Sequence, residues 1–277
     1  MAIVNPFKAV RPSRDKVALV SSKSYEAYTH AELGAKLDFN PYSFLHIVNP
    51  DYKFLQEVST ERRFQLVHNR YLDFKKNNIF IKDKIAAFYI YERIDAQHSF
   101  CGIIGATSIA DYLRGDIKKH EGTIHKRERL FQKYLKIIGF NAEPILLTFK
   151  DDETIAAIIN QEKEKRPEYE FSTTDKKSHK LWLVTDESIT KKIIKAFAKI
   201  KALYIADGHH RTASSALLAA DLASENENHT GDEEYNFFMS YLIPESQLDI
   251  AEFNRFVKDL NGLTIAASQT ISMGSNT

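Results

Sequence analysis

A single cysteine, Cys101, occurs among the 277 residues of the chain. One thiol excludes an intrachain disulfide and any zinc site built on cysteines. Excess charge is also missing: 38 Lys and Arg stand against 37 Asp and Glu, interspersed along the chain, for a net +1. That balance argues against a nucleic-acid backbone or an anionic membrane as the main partner. No apolar run approaches the roughly 20 residues that span a bilayer. Residues 1–14 carry charges and proline where a signal peptide needs an apolar core. The chain therefore reads as soluble and cytoplasmic, and no feature specifies an oligomeric state. Repeats and low-complexity tracts are absent. So is the Gly-Lys-Ser/Thr phosphate loop, which excludes a P-loop kinase. Gly102 and Gly105 sit in a strand pattern and make no dinucleotide-binding fingerprint. No helix-turn-helix pair with a basic recognition helix is visible.

What the chain does contain is alternation. Residues 3–20 read as extended segments separated by Arg11-Pro12-Ser13, 25–37 as a loop entering a short helix, and Asn40-Pro41 as a turn. Apolar residues recur at helical spacing through 51–77. Residues 85–94 and 100–109 read as a strand hairpin turning at 95–99. A capped helical turn at 111–116 ends on Gly115, and the polar run 117–129 enters a helix closing near Gly139. Strands are expected at 144–149, 181–185 and 237–243, helices at 152–165 and 186–200, and an acidic loop at 226–234. Strands alternating with helices, plus one early hairpin, predict an α/β or α+β architecture with a mixed sheet flanked by helices. Residues 1–263 are expected to form one such domain, the N-terminal part of a longer protein. The small, polar tail 264–277 reads as a truncated or foreign end, or equally as the disordered tail of a short protein.

The chemistry concentrates in Leu203-Tyr204-Ile205-Ala206-Asp207-Gly208-His209-His210-Arg211-Thr212-Ala213. A β-prone run ends in Asp-Gly, and Ala213, Ala216, Leu217 and Ala220 continue at helical spacing. A helix start of this kind exposes unpaired N–H groups and the positive end of the helix dipole, which favour anions and above all phosphate. Gly208 lets the backbone turn or approach a ligand closely. Arg211 supplies a planar charged fork. The competing structural reading makes Asp207 a plain helix cap and leaves the histidines solvated. Adjacent histidines do not chelate one metal as i, i+4 pairs do.

Ala206-Asp207-Gly208-His209-His210-Arg211 followed by Thr212-Ala213 resembles the hallmark of the bacterial and archaeal family called domain of unknown function 1015. Residues 5–12 (Asn-Pro-Phe-Lys-Ala-Val-Arg-Pro) and 40–46 (Asn-Pro-Tyr-Ser-Phe-Leu-His) resemble its first two blocks. Residues 105–112 and Lys118-Lys119-His120-Glu121-Gly122-Thr123 resemble its third. Gly-His-His-Arg is also similar to the phosphate-contacting turn of the ParB/sulfiredoxin-like superfamily, which includes nucleotide-dependent DNA clamps, sulfiredoxins and kinases of free L-serine. Sulfiredoxin places its reactive cysteine in this turn; here the matching position is His209, and Cys101 lies far off in an apolar run.

The resemblance implies function for Lys119, His120, Glu121 and Thr123, which by charge pattern alone read as a solvated face. Tyr25-Glu26 occupies the place of the family's Tyr-Asp, with Ser22-Lys23-Ser24 replacing much of its small-residue and proline run. Glu26 is similar in placement to the catalytic acid of the serine kinases, and a plain surface acid is the competing reading. Arg11 and His46 sit in family blocks on loops, and Arg255 matches a family arginine with Asn254 in place of the usual histidine. Trp182 and the many Phe and Tyr residues read as core. The leading expectation is a phosphotransferase acting on a small hydroxylated metabolite, best guess free L-serine, with ATP or ADP and Mg²⁺. Gly208, the N–H groups of His209 and His210, and Arg211 would hold phosphates, with Lys119, His120 and Thr123 beside them. Glu121, Glu26 or Asp207 would take the hydroxyl proton, and Glu121 or Asp207 would hold Mg²⁺. The alternatives are a ParB-like nucleotide switch and a non-catalytic anion-binding domain.

Overall fold

The computed structural model describes residues 2–53, 58–96, 98–250 and 259. The chain opens with β1 (Val4–Asn5), β2 (Val10–Pro12), α1 (Val17–Val20), α2 (His30–Phe39), α3 (Leu45–Val48), α4 (Thr60–Lys76) and β3 (Phe80–Lys82). The middle holds β4 (Phe88–Ile94), β5 (Ser99–Ser108), α5 (Ile109–Arg114), β6 (Ile117–Lys118), α6 (His125–Ile138), β7 (Ile145–Phe149) and α7 (Glu153–Lys163). Then come β8 (Tyr169–Ser172), β9 (Ser178–Val184), α8 (Glu187–Phe197), β10 (Leu203–Asp207), α9 (His209–Glu225) and β11 (Phe237–Pro244). No helix among the described residues is long and apolar enough to cross a membrane.

Among the described residues nine strands form one mixed sheet in the order β6-β10-β7-β11-β5-β4-β9-β8, with β1 added against β5. The pairs β6–β10 and β7–β11 are parallel; the other neighbours run antiparallel. The expected mixed α/β sheet flanked by helices is what forms. At its centre the hairpin β4–β5 pairs Tyr89 with Ile104 through Ile94 with Ser99. Its turn closes where Asp95 N–H donates to the His98 carbonyl and His98 N–H to the Asp95 carboxylate. Phe88, Ile90, Ile103, Leu147, Phe238 and Leu242 are buried in the main core, joined by Ile155, Ile193 and Phe197 from α7 and α8. A second core, under α4 and the end of α6, gathers Val20, Ile47, Val67, Phe74, Phe80 and Ile138.

Helix ends follow the local chemistry. Thr29 and Glu32 form a capping box on α2, and Ser59, Asp152 and Asp186 cap α4, α7 and α8. Gly115 and Gly139 close α5 and α6 with φ of 80° and 75°.

The start of the chain departs from expectation. Arg11 and Pro12 do not separate strands; they lie within β2, whose partner β3 faces Pro12 with Phe80. Proline is tolerated there because the two-stranded ribbon is all edge. Residues 17–20 are helical, not extended. The apolar spacing through 51–77 overstated its helix: residues 51–53 are turn, and α4 begins only after the Ser59 cap. Residues 54–57 and 253–258, including Arg255, lie outside the described residues, as does the tail 264–277. Three strands, β3, β6 and β8, are additional to those expected. β6 is two residues long, and β8 forms a hairpin with β9 across a turn where Lys176 takes φ 60°.

Candidate functional site

β10 delivers Asp207 to the edge of the sheet, and Gly208 turns the chain into α9 with φ 101°. A β-carbon there would sit 3.3 Å from both Arg211 Nε and Ile145 Cγ1, so the turn admits only glycine without strain. The first helical bond runs from Thr212 N–H to the Gly208 carbonyl, at 2.9 Å. The N–H groups of His209, His210 and Arg211 therefore precede the helical ladder, at the positive end of a 17-residue helix. Asp207 does not cap that helix; no side chain caps α9, and the Asp207 carboxylate turns to Arg211 instead.

Topology brings a second segment onto this turn. β6 pairs in parallel with β10, Ile117 opposite Leu203 and Lys118 opposite Tyr204. Parallel neighbours deliver their following loops to the same edge, so residues 119–124 cross the start of α9. His120 N–H donates to His209 Nε2 at 3.4 Å, and Ile124 N–H donates to His210 Nε2 at 3.2 Å. Both imidazoles thus accept on Nε2, which puts the proton of each neutral ring on Nδ1. His209 Nδ1 faces Glu121 Oε2 at 3.6 Å, and the His120 ring meets His209 edge-on with centroids 4.4 Å apart.

His209 is buried, at 6% exposure, while Glu121 is open to solvent. Burial, and then the neighbouring His120, push the His209 pKa below its ordinary 6.5. The unfolded chain therefore takes up this proton before the folded one does. The corresponding stability is present above pH 6.5 and is lost as pH falls from there through the folded value. Burial lowers His46 and His179 in the same direction. We expect the urea midpoint to drop between pH 7.5 and pH 5.5, and His209→Gln to shrink that drop while keeping an acceptor for the His120 N–H. An identical drop in both proteins would remove His209 from the account.

Other expected residues face elsewhere. Lys119 lies over the Tyr112 ring, 5.9 Å from its centroid. Thr123 donates to Glu128, which also pairs with His125 at 2.9 Å. Neither Arg11 nor His46 sits on a loop as expected: Arg11 ties β2 to Asp83, Glu168 and Tyr169, and His46 Nε2 in α3 donates to the Asn40 carbonyl at the end of α2 at 3.0 Å. Cys101 is buried, its thiol pushed up to about 12 by that burial.

The Arg211 fork is occupied. It donates to Asp207 at 2.6 Å and to Glu143 and the Pro144 carbonyl at 3.0 Å each. Glu143 and Pro144 arrive because β7 runs antiparallel to β10 and starts where β10 ends. Asp207 faces Arg211 and Glu121 faces His209, so the two carboxylates expected to hold Mg²⁺ have different partners. Among the described residues no three His, Cys, Asp or Glu side chains gather into a metal site, and Mg²⁺ bound chiefly by nucleotide phosphates needs only one or two carboxylates.

Arg211 also lines a cleft of about 540 Å³ whose lining includes Glu26. Glu26 lies in the short helical turn Tyr25–Ala27. The sequence placed Glu26 and Arg211 on the same list of candidates; the fold places them on the same cleft. Glu143, Arg63 and the cleft's aromatic side chains escaped sequence reading, because at helical spacing an aromatic wall looks like core.

The architecture is thus a mixed α/β sheet with a glycine-turned helix start at its edge, overlaid by a histidine-bearing loop. The chain belongs to the family described as "Protein of unknown function (DUF1015)", which matches residues 4–270. No curated protein and no solved structure matches it.

Proposed function

We propose that the chain is a phosphotransferase that moves a phosphoryl group from ATP or ADP, with Mg²⁺, to a small hydroxylated metabolite in the cytoplasm. The observation that carries this reading is the convergence of residues 119–124 on the first turn of α9, with His120 N–H on His209 Nε2 across 89 residues of sequence. Phosphoryl transfer needs little covalent chemistry from the protein and much positioning and charge neutralisation. Unbonded N–H groups at a helix start supply the second, and a loop held over them supplies the first. The N–H groups of His209, His210 and Arg211 would hold phosphate oxygens. Arg211 would exchange Glu143 for phosphate.

The acceptor hydroxyl oxygen would bond to the terminal phosphorus as the bond to the leaving nucleotide oxygen breaks. Its proton would pass to Glu121 or Glu26. The likeness of Gly208-His209-His210-Arg211 to the ParB/sulfiredoxin-like phosphate turn supports the reading and makes free L-serine the first acceptor to test. Terminally labelled ATP and ADP, each incubated with Mg²⁺ and an amino-acid mixture, should yield a labelled small molecule. Glu26→Gln and Glu121→Gln, made separately, identify the base by which one abolishes it. Nucleotide hydrolysis seen only with DNA present would favour a nucleotide switch. Absence of both product and nucleotide binding would overturn the reading.

A further inference from the structure

The cleft between α4, α6 and residues 22–26 has a size and lining that the turn alone does not account for. Its volume of about 540 Å³ lies within the roughly 300–1,000 Å³ typical of small-molecule sites. The hollow beside Arg14 and residues 166–170, at about 190 Å³, falls short of it. Free L-serine, small and polar, would leave most of the larger cleft empty and its apolar walls wet.

Those walls are aromatic, and their rings pack against other rings. Phe64 and Tyr134, both on the lining, meet edge-on with centroids 4.9 Å apart, and Phe140 on the lining stacks on Tyr71 at 4.2 Å. Phe131 completes the surface, and Leu130 stands at its rim 47% exposed, an apolar side chain with water on one side. Rings fixed by other rings lose little freedom when a flat ligand lies on them. Beside them Asn141 offers an amide, donor and acceptor together, suited to the edge of a heterocycle. Lys23, Arg63 and Arg211 line the cleft beside Glu26 and Glu143. Lys23 pairs with Asp175, Arg63 with Asp51 and Arg211 with Asp207 and Glu143, so an anionic ligand end would take Arg211 by displacing Glu143. Arg211 is also the residue at which the cleft meets the first turn of α9. A ligand that is flat and aromatic at one end and polyanionic at the other fits both halves.

We infer that this cleft seats the base of a nucleotide whose phosphates run toward Arg211 and the start of α9. The inference rests on the phosphotransferase reading for the nucleotide, and adds where the base goes and which residues select it. An aromatic carboxylate would satisfy the same walls with a shorter anion, and the test separates the two.

The experiment is calorimetric titration of the full chain with the diphosphates of adenosine, guanosine, cytidine and uridine, with inorganic phosphate, and with phenylalanine. Each is repeated on Phe131→Ala, Phe131→Leu and Leu130→Gln, with thermal melts alongside. Base stacking on an aromatic wall makes an affinity loss of roughly tenfold or more the expectation for Phe131→Ala. A smaller loss is expected for Phe131→Leu and Leu130→Gln, with inorganic phosphate bound equally by all four proteins. If Phe131→Ala fails to fold, Phe131→Leu and the solvent-exposed Leu130→Gln carry the comparison. Diphosphates bound equally by the parent and every folded variant would place the base elsewhere and overturn the inference while the phosphotransferase reading stood. Phenylalanine bound in preference to every diphosphate would overturn it in favour of an aromatic acid. No diphosphate bound by the parent would overturn the inference and the phosphotransferase reading together.

Discussion

Arg211→Lys is expected to weaken nucleotide binding by about ten- to hundredfold while leaving the melting temperature nearly unchanged. Lysine keeps the charge and loses the planar fork, and a charge-assisted hydrogen bond of this kind is worth on the order of 1.5–3 kcal/mol. The small thermal effect follows from where the fork now points. Its carboxylate partners, Asp207 and Glu143, are 71% and 62% exposed, and ion pairs open to solvent contribute about 0–1 kcal/mol. A purely structural Arg211, clasping Glu143 and Pro144 to the start of α9, predicts the reverse: a lower melting temperature and unaltered affinity. Calorimetric titration and thermal unfolding of the one variant decide between them. Unchanged affinity would strike Arg211 from the site and leave the phosphate reading to the backbone N–H groups and the histidines.

The largest expected loss of stability belongs to a position remote from the site. Gly102→Ala would place a β-carbon 2.3 Å from the Leu242 carbonyl oxygen and 2.7 Å from Ile243 Cγ2. Neither is a flexible chain end that swings away cheaply: one is backbone of β11 and the other a branched side chain packed in the core. Overpacking usually costs about 1–3 kcal/mol and more where backbone must move. Here β5 and β11 would have to separate at the middle of the sheet, between Ile103 and Leu242, both fully buried. Urea denaturation should therefore show a loss at the upper end of that range or beyond, or an insoluble protein. Gly122→Ala is the control, because a β-carbon at Gly122 meets nothing within 4 Å. Equal midpoints for the two variants would mean that β5 and β11 are not as closely spaced as described.

Much of this architecture was legible before any tertiary structure. The strand, glycine turn and helix at 203–225 follow from an apolar β-prone run, a glycine that tolerates positive φ, and alanines at helical spacing. The hairpin β4–β5 and the ends of α5 and α6 were equally local, set by aromatic and β-branched runs and by glycines just beyond the last helical turn. Where the reading slipped, the cause was also local. In Tyr169-Glu170-Phe171-Ser172 only Tyr169 is buried, and so short an alternation is lost among the polar residues around it. The Ser-His-Lys opening of β9 hid its first half in the same way.

By itself, then, the sequence determined most of the elements, that its one cysteine can form no intrachain disulfide, and the strand, glycine turn and helix start at 203–225. Each depends on backbone preferences within a few residues or on composition. The tertiary structure alone decided what surrounds that helix start. The pairing of β6 with β10 carries His120 and Glu121 onto His209, and the antiparallel entry of β7 brings Glu143 to Arg211. The packing of α4 against α6 opens an aromatic cleft in which Glu26 faces the same space as Arg211. Strand order and helix contact are settled by burial summed over the whole sheet, between residues far apart along the chain, and no local pattern encodes that sum.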